Sequence, residues 1–213
     1  MTKYLVLGSA PYVSEWVDCH LNWFVEHDYK LVTFNNSWRL IDLDLIHEYH
    51  MSDNHETAGT FVMNHEIRRQ LGPRLVRHVS PNASDEDVKQ LTQDNINYRV
   101  KPSKYGNNTM FFDMVQYFID HHVQADIVFI GCDMMYRNDV DTFYNHVPGH
   151  KARPDIVLAY DNDFGRVALE FQYKFEQKPY GLRFWNASEH DSRLPFERFR
   201  DHLDESPSDT WSP

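Results

Sequence analysis

One short apolar segment places the tightest limit on what this chain can fold into. Residues 125–130 read Ala-Asp-Ile-Val-Phe-Ile and stop at Gly131. Such a run, ending at a glycine, indicates a buried strand that opens into a loop at its carboxyl end. Open α/β sheets bind ligands at that end of their strands. The polar residues that follow this segment are Asp133, Tyr136, His146 and His150. Because these side-chain types exchange protons or hydrogen bonds readily, the sequence predicts chemistry here.

Strand-like runs alternate with amphipathic helical patterns along most of the chain. The predicted strands cover residues 3–7, 30–34, 45–51, 74–79, 125–130 and 181–185. The predicted helices cover residues 14–24, 56–71, 110–122 and 161–178, with a short one beginning near residue 84. Ser14 is the expected cap of the first helix. This alternation predicts an α/β fold with a Rossmann-like, mostly parallel sheet and helices on both faces.

The domain organisation follows from length and local composition. A chain of 213 residues is long enough to bury a full core, and we expect a single domain over residues 1–200. Two segments, 80–105 and 140–160, are the candidates for a small lid or insertion. Residues 201–213 are polar and rich in serine and proline, so a loosely ordered tail is predicted there.

Net charge and hydropathy restrict which binding partners and which cellular compartment we expect. A net charge of −11 argues against broad contact with nucleic acid or anionic lipid, so a nucleic acid is a disfavoured acceptor. No apolar window is long enough to span a membrane, and the N-terminus turns polar too early for a signal peptide. We therefore expect a cytoplasmic protein. Cys19 and Cys132 are far apart and are predicted to be small buried side chains without a disulfide.

Three further segments are candidates for contact with a nucleotide or another anion. They are Gly8-Ser9-Ala10-Pro11 after the first strand, Asn35-Asn36 after the second, and Asn107-Asn108-Thr109 before a helix. The first segment lacks the glycine pattern of a dinucleotide fingerprint and the lysine of a P-loop. Asn35 either contacts a base or ribose or simply makes a turn. The third segment would present free N–H groups to an anion.

A group of histidines suggests a metal site as an alternative. The group is His47, His50, Asp53 and His55, and its residue types are ligands of zinc or iron. The spacing of His47 and His50 is one residue short of the metalloprotease pattern. Alternation along a strand would also point these two side chains to opposite faces. We therefore interpret them as surface histidines.

Four blocks in one order resemble a known enzyme family. The blocks are Gly8-Ser9-Ala10-Pro11, Thr33-Phe34-Asn35, Gly131-Cys132-Asp133-Met134-Met135-Tyr136, and His146-x-x-Gly149-His150 followed by Asp155. Their order and spacing resemble the bacterial lipooligosaccharide sialyltransferases, glycosyltransferase family 42, and related short Rossmann-like proteins. Residues 185–194 are similar to the C-terminal segment of that family.

The resemblance implies an inverting glycosyltransferase that moves a sugar from a nucleotide donor, typically a CMP-sugar, to a glycan or another hydroxyl acceptor. By position, His150 would be the general base and Tyr136 would hydrogen-bond the departing phosphate. Ser9 and Asn35 would hold the nucleotide. The other residues expected at the donor site are Gly8, Ala10, Asn107, Asn108, Thr109, Gly131, Asp133, Tyr144 and His146. No metal or other cofactor is required, and the nucleotide sugar is a co-substrate.

Alternatives from other functional classes stay open at this point. One is a nucleotide-binding module without catalysis, in which the histidines of the fourth block are structural. Another is a metal-dependent hydrolase using His47, His50, Asp53 and His55. The sequence also leaves open the donor sugar, since Ser9 and Ala10 replace asparagine and glycine of the family pattern. The acceptor, the linkage and a homo-oligomeric state are likewise open.

Overall fold

A computed structural model gives the fold of most of the sheet and of two helices. It describes residues 1–34, 37–52, 69–79, 97–100, 110–132 and 176–190, with single positions at 85–89 and 192–199. The predicted helices over 56–68 and 161–175, the lid candidate over 140–160 and the tail over 201–213 lie outside the described residues.

The core of the molecule is one eight-stranded sheet. Its strands are β1 (Thr2–Leu7), β2 (Tyr29–Phe34), β3 (Ile46–Ser52), β4 (Leu75–Val79), β5 (Asn97–Val100), β6 (Gln124–Ile130), β7 (Gly181–Asn186) and β8 (Glu197–Arg198). They lie in the order β5-β4-β3-β2-β1-β6-β7-β8, and every neighbouring pair is parallel. The predicted α/β class with a largely parallel sheet is therefore confirmed.

Two helices cover opposite faces of this sheet. Helix α1 (Val13–Glu26) packs on the face formed by Leu5, Leu7 and Val128, while α2 (Met110–His121) packs on the other. Helix α2 corresponds to the predicted helix over residues 110–122. Its apolar stripe includes Phe111, Met114, Val115 and Phe118, all of which are buried. Covering both faces removes β6 from water, so its residues 125–130 are all buried. This explains why a continuous apolar run marked that strand.

Some local predictions were wrong for identifiable reasons. Ser14 does not cap α1: the helix begins at Val13, and its cap residue Tyr12 makes no side-chain capping bond. Strands β5 and β8 were missed because both are short edge strands without an apolar run. Strand β5 also lies within the lid candidate 80–105, so that part of the segment belongs to the sheet. Of the two cysteines, Cys132 is buried as predicted but Cys19 is exposed.

No helix within the described residues is long and apolar enough to cross a membrane.

Strands β6 and β7 are also joined by an ion pair near their amino ends. Arg183 lies opposite Asp126, with Nε 2.6 Å from Oδ1 and a terminal nitrogen donating to Oδ2 at 2.7 Å. The indole of Trp185 donates to Oδ1 at 3.2 Å. The carboxylate is buried, whereas half of the arginine side chain is in water.

We expect Asp126→Ala to lower the free energy of unfolding by about 1–2 kcal/mol, because charge-assisted bonds are lost while Arg183 stays hydrated. Urea denaturation measures the change. The matched control is Asp18→Ala, which removes an exposed carboxylate from α1. Equal stabilities of the two variants would show that this ion pair contributes nothing.

Candidate functional site at the carboxyl edge of the sheet

The strand order reverses between β1 and β6, and the loops that leave these strands meet at the carboxyl edge. The backbone N–H of Gly8 donates to the carbonyl of Ile130 at 2.7 Å. The N–H groups of Ser9 and Ala10 both donate to the carbonyl of Gly131 at 3.2 Å. Such a reversal is where doubly wound sheets form a ligand crevice. The two sequence blocks that contain these residues therefore lie side by side at the expected place.

Two glycines allow these loops to approach so closely. A Cβ on Gly8 would overlap the carbonyl oxygen of Gly131, which is backbone and cannot turn aside. Gly131 has φ of +73°, and a Cβ there would overlap the side chain of Val13 at the start of α1. Glycine adopts this left-handed conformation without steric cost. These positions are thus fixed by packing between the loops.

The hydrogen bonds between the loops limit how the first turn can bind a ligand. The N–H groups of Ser9 and Ala10 already donate to the carbonyl of Gly131. The main chain of this turn therefore does not form a phosphate cradle of the P-loop type. Ser9 and Ala10 are both partly exposed. The hydroxyl of Ser9 has no hydrogen-bond partner among the described residues. Ser9 can therefore contribute to the crevice through its side chain.

A polar group that was not predicted adjoins the crevice. The hydroxyl of Tyr12 donates to Ser188 Oγ at 2.7 Å, and the ring of His190 lies 4.2 Å from the ring of Tyr12. Ser188 is held in turn by its own N–H, which donates to Asn186 Oδ1 at 3.0 Å. The sequence signals were the polar residues directly after the last predicted strand and the family resemblance of residues 185–194. This group adds an aromatic and a hydroxyl surface beside the β1 and β6 loops.

The structure thus brings together four of the predicted site residues, namely Gly8, Ser9, Ala10 and Gly131. The other predicted site residues lie outside the described part of the chain: Asn35, Asn107, Asn108, Thr109, Asp133, Tyr136, Tyr144, His146 and His150. In the order of the sequence, Asn35 comes directly after β2, and Asp133 follows β6 within three residues.

The prediction for the histidines of β3 is confirmed only in that His47 is exposed, and it is wrong about the faces on which His47 and His50 lie. The pairing of β3 with β2 skips one residue, and His47 is bulged. Its ring lies 6.4 Å from the ring of Tyr4, on the side covered by α2. The ring of His50 is 4.8 Å from that of Tyr117 in α2, hence on the same side. The prediction of opposite faces was wrong because a bulge breaks the alternation of a strand.

His50 is also not a surface histidine, since its side chain is fully buried. Its Nδ1 lies 2.8 Å from Nε2 of His78, and its Nε2 lies 3.1 Å from a carboxylate oxygen of Glu48. Both ring nitrogens are therefore engaged, and binding a metal would require breaking one of these bonds. Asp53 and His55 lie outside the described residues. In the part of the chain that the structure describes, no three His, Cys, Asp or Glu side chains are grouped to hold a metal.

Two half-buried histidines make folding sensitive to acid. Burial lowers the pKa of His20 in α1 below its ordinary value of 6.5, although Glu189 acts in the opposite direction. Burial likewise lowers the pKa of His122 at the end of α2, where Glu48 opposes the shift and His121 and Lys30 add to it. His20 Nδ1 and His122 Nε2 are buried without a hydrogen-bond partner among the described residues.

We expect the free energy of unfolding to decrease as the pH falls below 6.5. In this range His20 and His122 bind protons more readily in the unfolded chain than in the folded protein, so acid favours unfolding. The loss stops growing once the pH is below their lowered pKa values. Urea denaturation over a pH series measures this slope. His20→Asn and His122→Asn should each flatten it, while Asn22→Ala, an exposed uncharged change on α1, should not. An unchanged slope in both histidine variants would contradict this explanation.

Comparison with protein-family models, with curated proteins and with solved structures gave no match.

Proposed function

We propose that this protein is a glycosyltransferase that moves a sugar from a nucleotide-activated donor, with a CMP-sugar favoured, to an acceptor hydroxyl with inversion. The observation that carries the proposal is the meeting of the first and third sequence blocks at the reversal of strand order. Gly8, Ser9 and Gly131 come from segments more than a hundred residues apart, and their loops are in direct contact at that reversal. Nucleotides are among the ligands that parallel α/β sheets bind at such a reversal of strand order.

The proposed reaction needs one base and a means of stabilising the leaving group. A neutral His150 removes the proton from the acceptor hydroxyl as the oxygen attacks the anomeric carbon. The bond from that carbon to the donor phosphate breaks at the same time, and the phosphate leaves with the electron pair. Tyr136 donates a hydrogen bond to the negative charge that develops there. The partners of the protein are then a nucleotide-sugar donor and a glycan or another hydroxyl acceptor.

The described residues favour this function over a metal-dependent hydrolase. The hydrolase needs His50 as a ligand, but its two ring nitrogens are hydrogen-bonded to Glu48 and His78 in the interior. The role of Ser9 in the transferase needs only an accessible hydroxyl, and the partial exposure of Ser9 supports this role. A nucleotide-binding module without catalysis shares the crevice and differs only in turnover.

A thermal-shift screen against nucleoside monophosphates and nucleotide sugars tests the binding part of this proposal. We expect cytidine monophosphate to raise the melting temperature, since a ligand at about 100 times its Kd stabilises the native state by about 2.7 kcal/mol. Ser9→Ala should reduce the shift. Ser14→Ala, on the exposed first turn of α1, should keep it. If no nucleotide shifts the melting temperature, or if the two variants behave alike, the proposed binding crevice is wrong.

A further inference from the structure

Three ionisable side chains from β3 and β4 form a hydrogen-bonded chain in the interior. His50 links Glu48, through Nε2 at 3.1 Å, to His78, through Nδ1 at 2.8 Å. Both imidazoles are 0% exposed, and the carboxylate side chain is 17% exposed. Ionisable groups are seldom buried in this way unless they are paired with one another. This hydrogen-bonded group of three side chains is therefore a specific feature of the fold and needs a physical explanation.

The protonation of Glu48 fixes the direction of the first hydrogen bond. Burial alone would raise the pKa of Glu48, but hydrogen bonds and positive charge outweigh it. These come from His50, His47 and Tyr117, and they hold the pKa of Glu48 below its ordinary value. Glu48 is thus a carboxylate at neutral pH and can only accept a hydrogen bond. His50 must donate to it through Nε2, which leaves Nδ1 to face His78.

The bond between the two imidazoles can run in either direction. With both rings neutral, His78 Nε2 carries the proton and donates to His50 Nδ1. With one more proton, His50 becomes an imidazolium that donates through both nitrogens, to Glu48 and to His78 Nε2. His78 then carries its own proton on Nδ1. Every heavy atom keeps its place in both states, because only protons change position.

We propose that Glu48, His50 and His78 form a buried proton relay, in which the two imidazoles take up one proton, hold it on His50 against Glu48, and exchange it through His78. His78 gains a proton at Nδ1 as the proton on Nε2 passes to His50 Nδ1. Because Nδ1 of His78 is buried, exchange of this proton with solvent requires a local opening of the fold. One proton is gained by the pair, no other bond changes, and release follows the same path in reverse. This relay uses residues other than the predicted base His150, and it does not depend on the proposed transferase activity.

The direction of the relay follows from the register of the strands. Glu48 lies opposite Val32 of β2, and His50 lies opposite Phe34, the last residue of that strand. His78 lies opposite Ser52, the last residue of β3. Successive members are thus closer to the carboxyl edge. The relay therefore runs from the interior of the sheet toward the edge at which we place the nucleotide.

The other ionisable groups around the relay come from each neighbouring element. Helix α2 contributes Tyr117, which bonds Glu48, and buried Asp113, one turn before Tyr117. His122 directly follows this helix. The bulge contributes His47. The remaining charges near that bulge are Lys30 from β2 and Arg74 from the turn before β4. On the same side of β2, Val32 and Phe34 are apolar. Glu48 thus supplies a carboxylate in hydrogen-bond contact with His50.

Nitrogen NMR of protein labelled with ¹⁵N-histidine tests the relay, with His50→Gln and His78→Gln used to assign the ring signals. We expect both rings to respond to one shared protonation step as the pH is lowered. Glu48→Gln keeps an acceptor for His50 but removes the charge, so the midpoint should fall by about one pH unit or more. His47→Gln is the matched control and should leave the step shared.

Several results would overturn the relay. One is independent titration of the two rings, each at its own midpoint. Another is a wild-type spectrum in which both rings stay neutral until the protein unfolds, and a third is an unchanged midpoint in Glu48→Gln. The wild-type titration decides the question by itself if a variant does not fold. Because it needs no nucleotide sugar, its outcome is independent of the test of the transferase.

Discussion

Replacing His150 with alanine is expected to lower the rate of sugar transfer by about 10²–10⁴-fold, the usual contribution of a general base. The acceptor hydroxyl would then attack without transferring its proton to a positioned group. Binding of the donor should change little, because the base acts on the acceptor and not on the nucleotide. The loss should therefore appear in kcat, measured as nucleotide release at saturating donor.

Two further measurements separate a lost base from a damaged fold. Added imidazole should restore part of the rate in His150→Ala, since a free base can enter the space that the side chain leaves. His121→Ala is the matched control, because this exposed histidine ends α2 at the opposite edge of the sheet. A full rate in His150→Ala would remove this residue from the mechanism, as would an equal loss in His121→Ala.

The second large effect is expected at the contact between the β1 and β6 loops. Gly131→Ala should lower the free energy of unfolding by roughly 2–5 kcal/mol, the sum of a left-handed alanine and an overlap with Val13. The same variant should weaken nucleotide binding, because the carbonyl of Gly131 holds the N–H groups of Ser9 and Ala10. Urea denaturation and the thermal-shift screen measure the two effects.

Gly72 provides the matched control for this prediction. Its φ is +48°, so it is left-handed as well, but a Cβ added there would meet open space. Gly72→Ala should therefore lower the free energy of unfolding only by the backbone cost of about 1–2 kcal/mol. Part of this cost is offset, because alanine reduces the conformational entropy of the unfolded chain. Equal losses at the two glycines would mean that the packing of the loops adds nothing to stability.

The sequence predicted the centre of the sheet better than its edges. Residues 125–130 were recognised as a strand because helices bury both faces of β6, which gives its sequence a continuous apolar run. Strands β5 and β8 are short and carry no such run. The meeting of Gly8 with Gly131 could be predicted in outline, since carboxyl ends of neighbouring parallel strands share one edge. The steric overlap that requires glycine at both positions could not be predicted, because it depends on the exact approach of two loops.

The buried histidines show what a pattern of alternation misses. His50 was interpreted as a surface residue because its spacing from His47 does not match the metalloprotease pattern and because a regular strand would point the two side chains to opposite faces. The bulge at His47 and the position of His78 on the next strand both depend on register, which no local pattern specifies. Glu48 two residues before His50 was the available signal, because that spacing puts both side chains on one face of a strand.

The measurement that tests the central claim most directly is proton NMR of the protein with a CMP-sugar and simple hydroxyl acceptors. The proposed function predicts release of cytidine monophosphate above the spontaneous rate, together with a glycoside whose anomeric configuration is inverted. Panels of uridine and guanosine diphosphate sugars are run in parallel to identify the base. Binding of a nucleotide without turnover of any donor would indicate a module without catalysis. Neither binding nor turnover of any nucleotide sugar would contradict the proposed function.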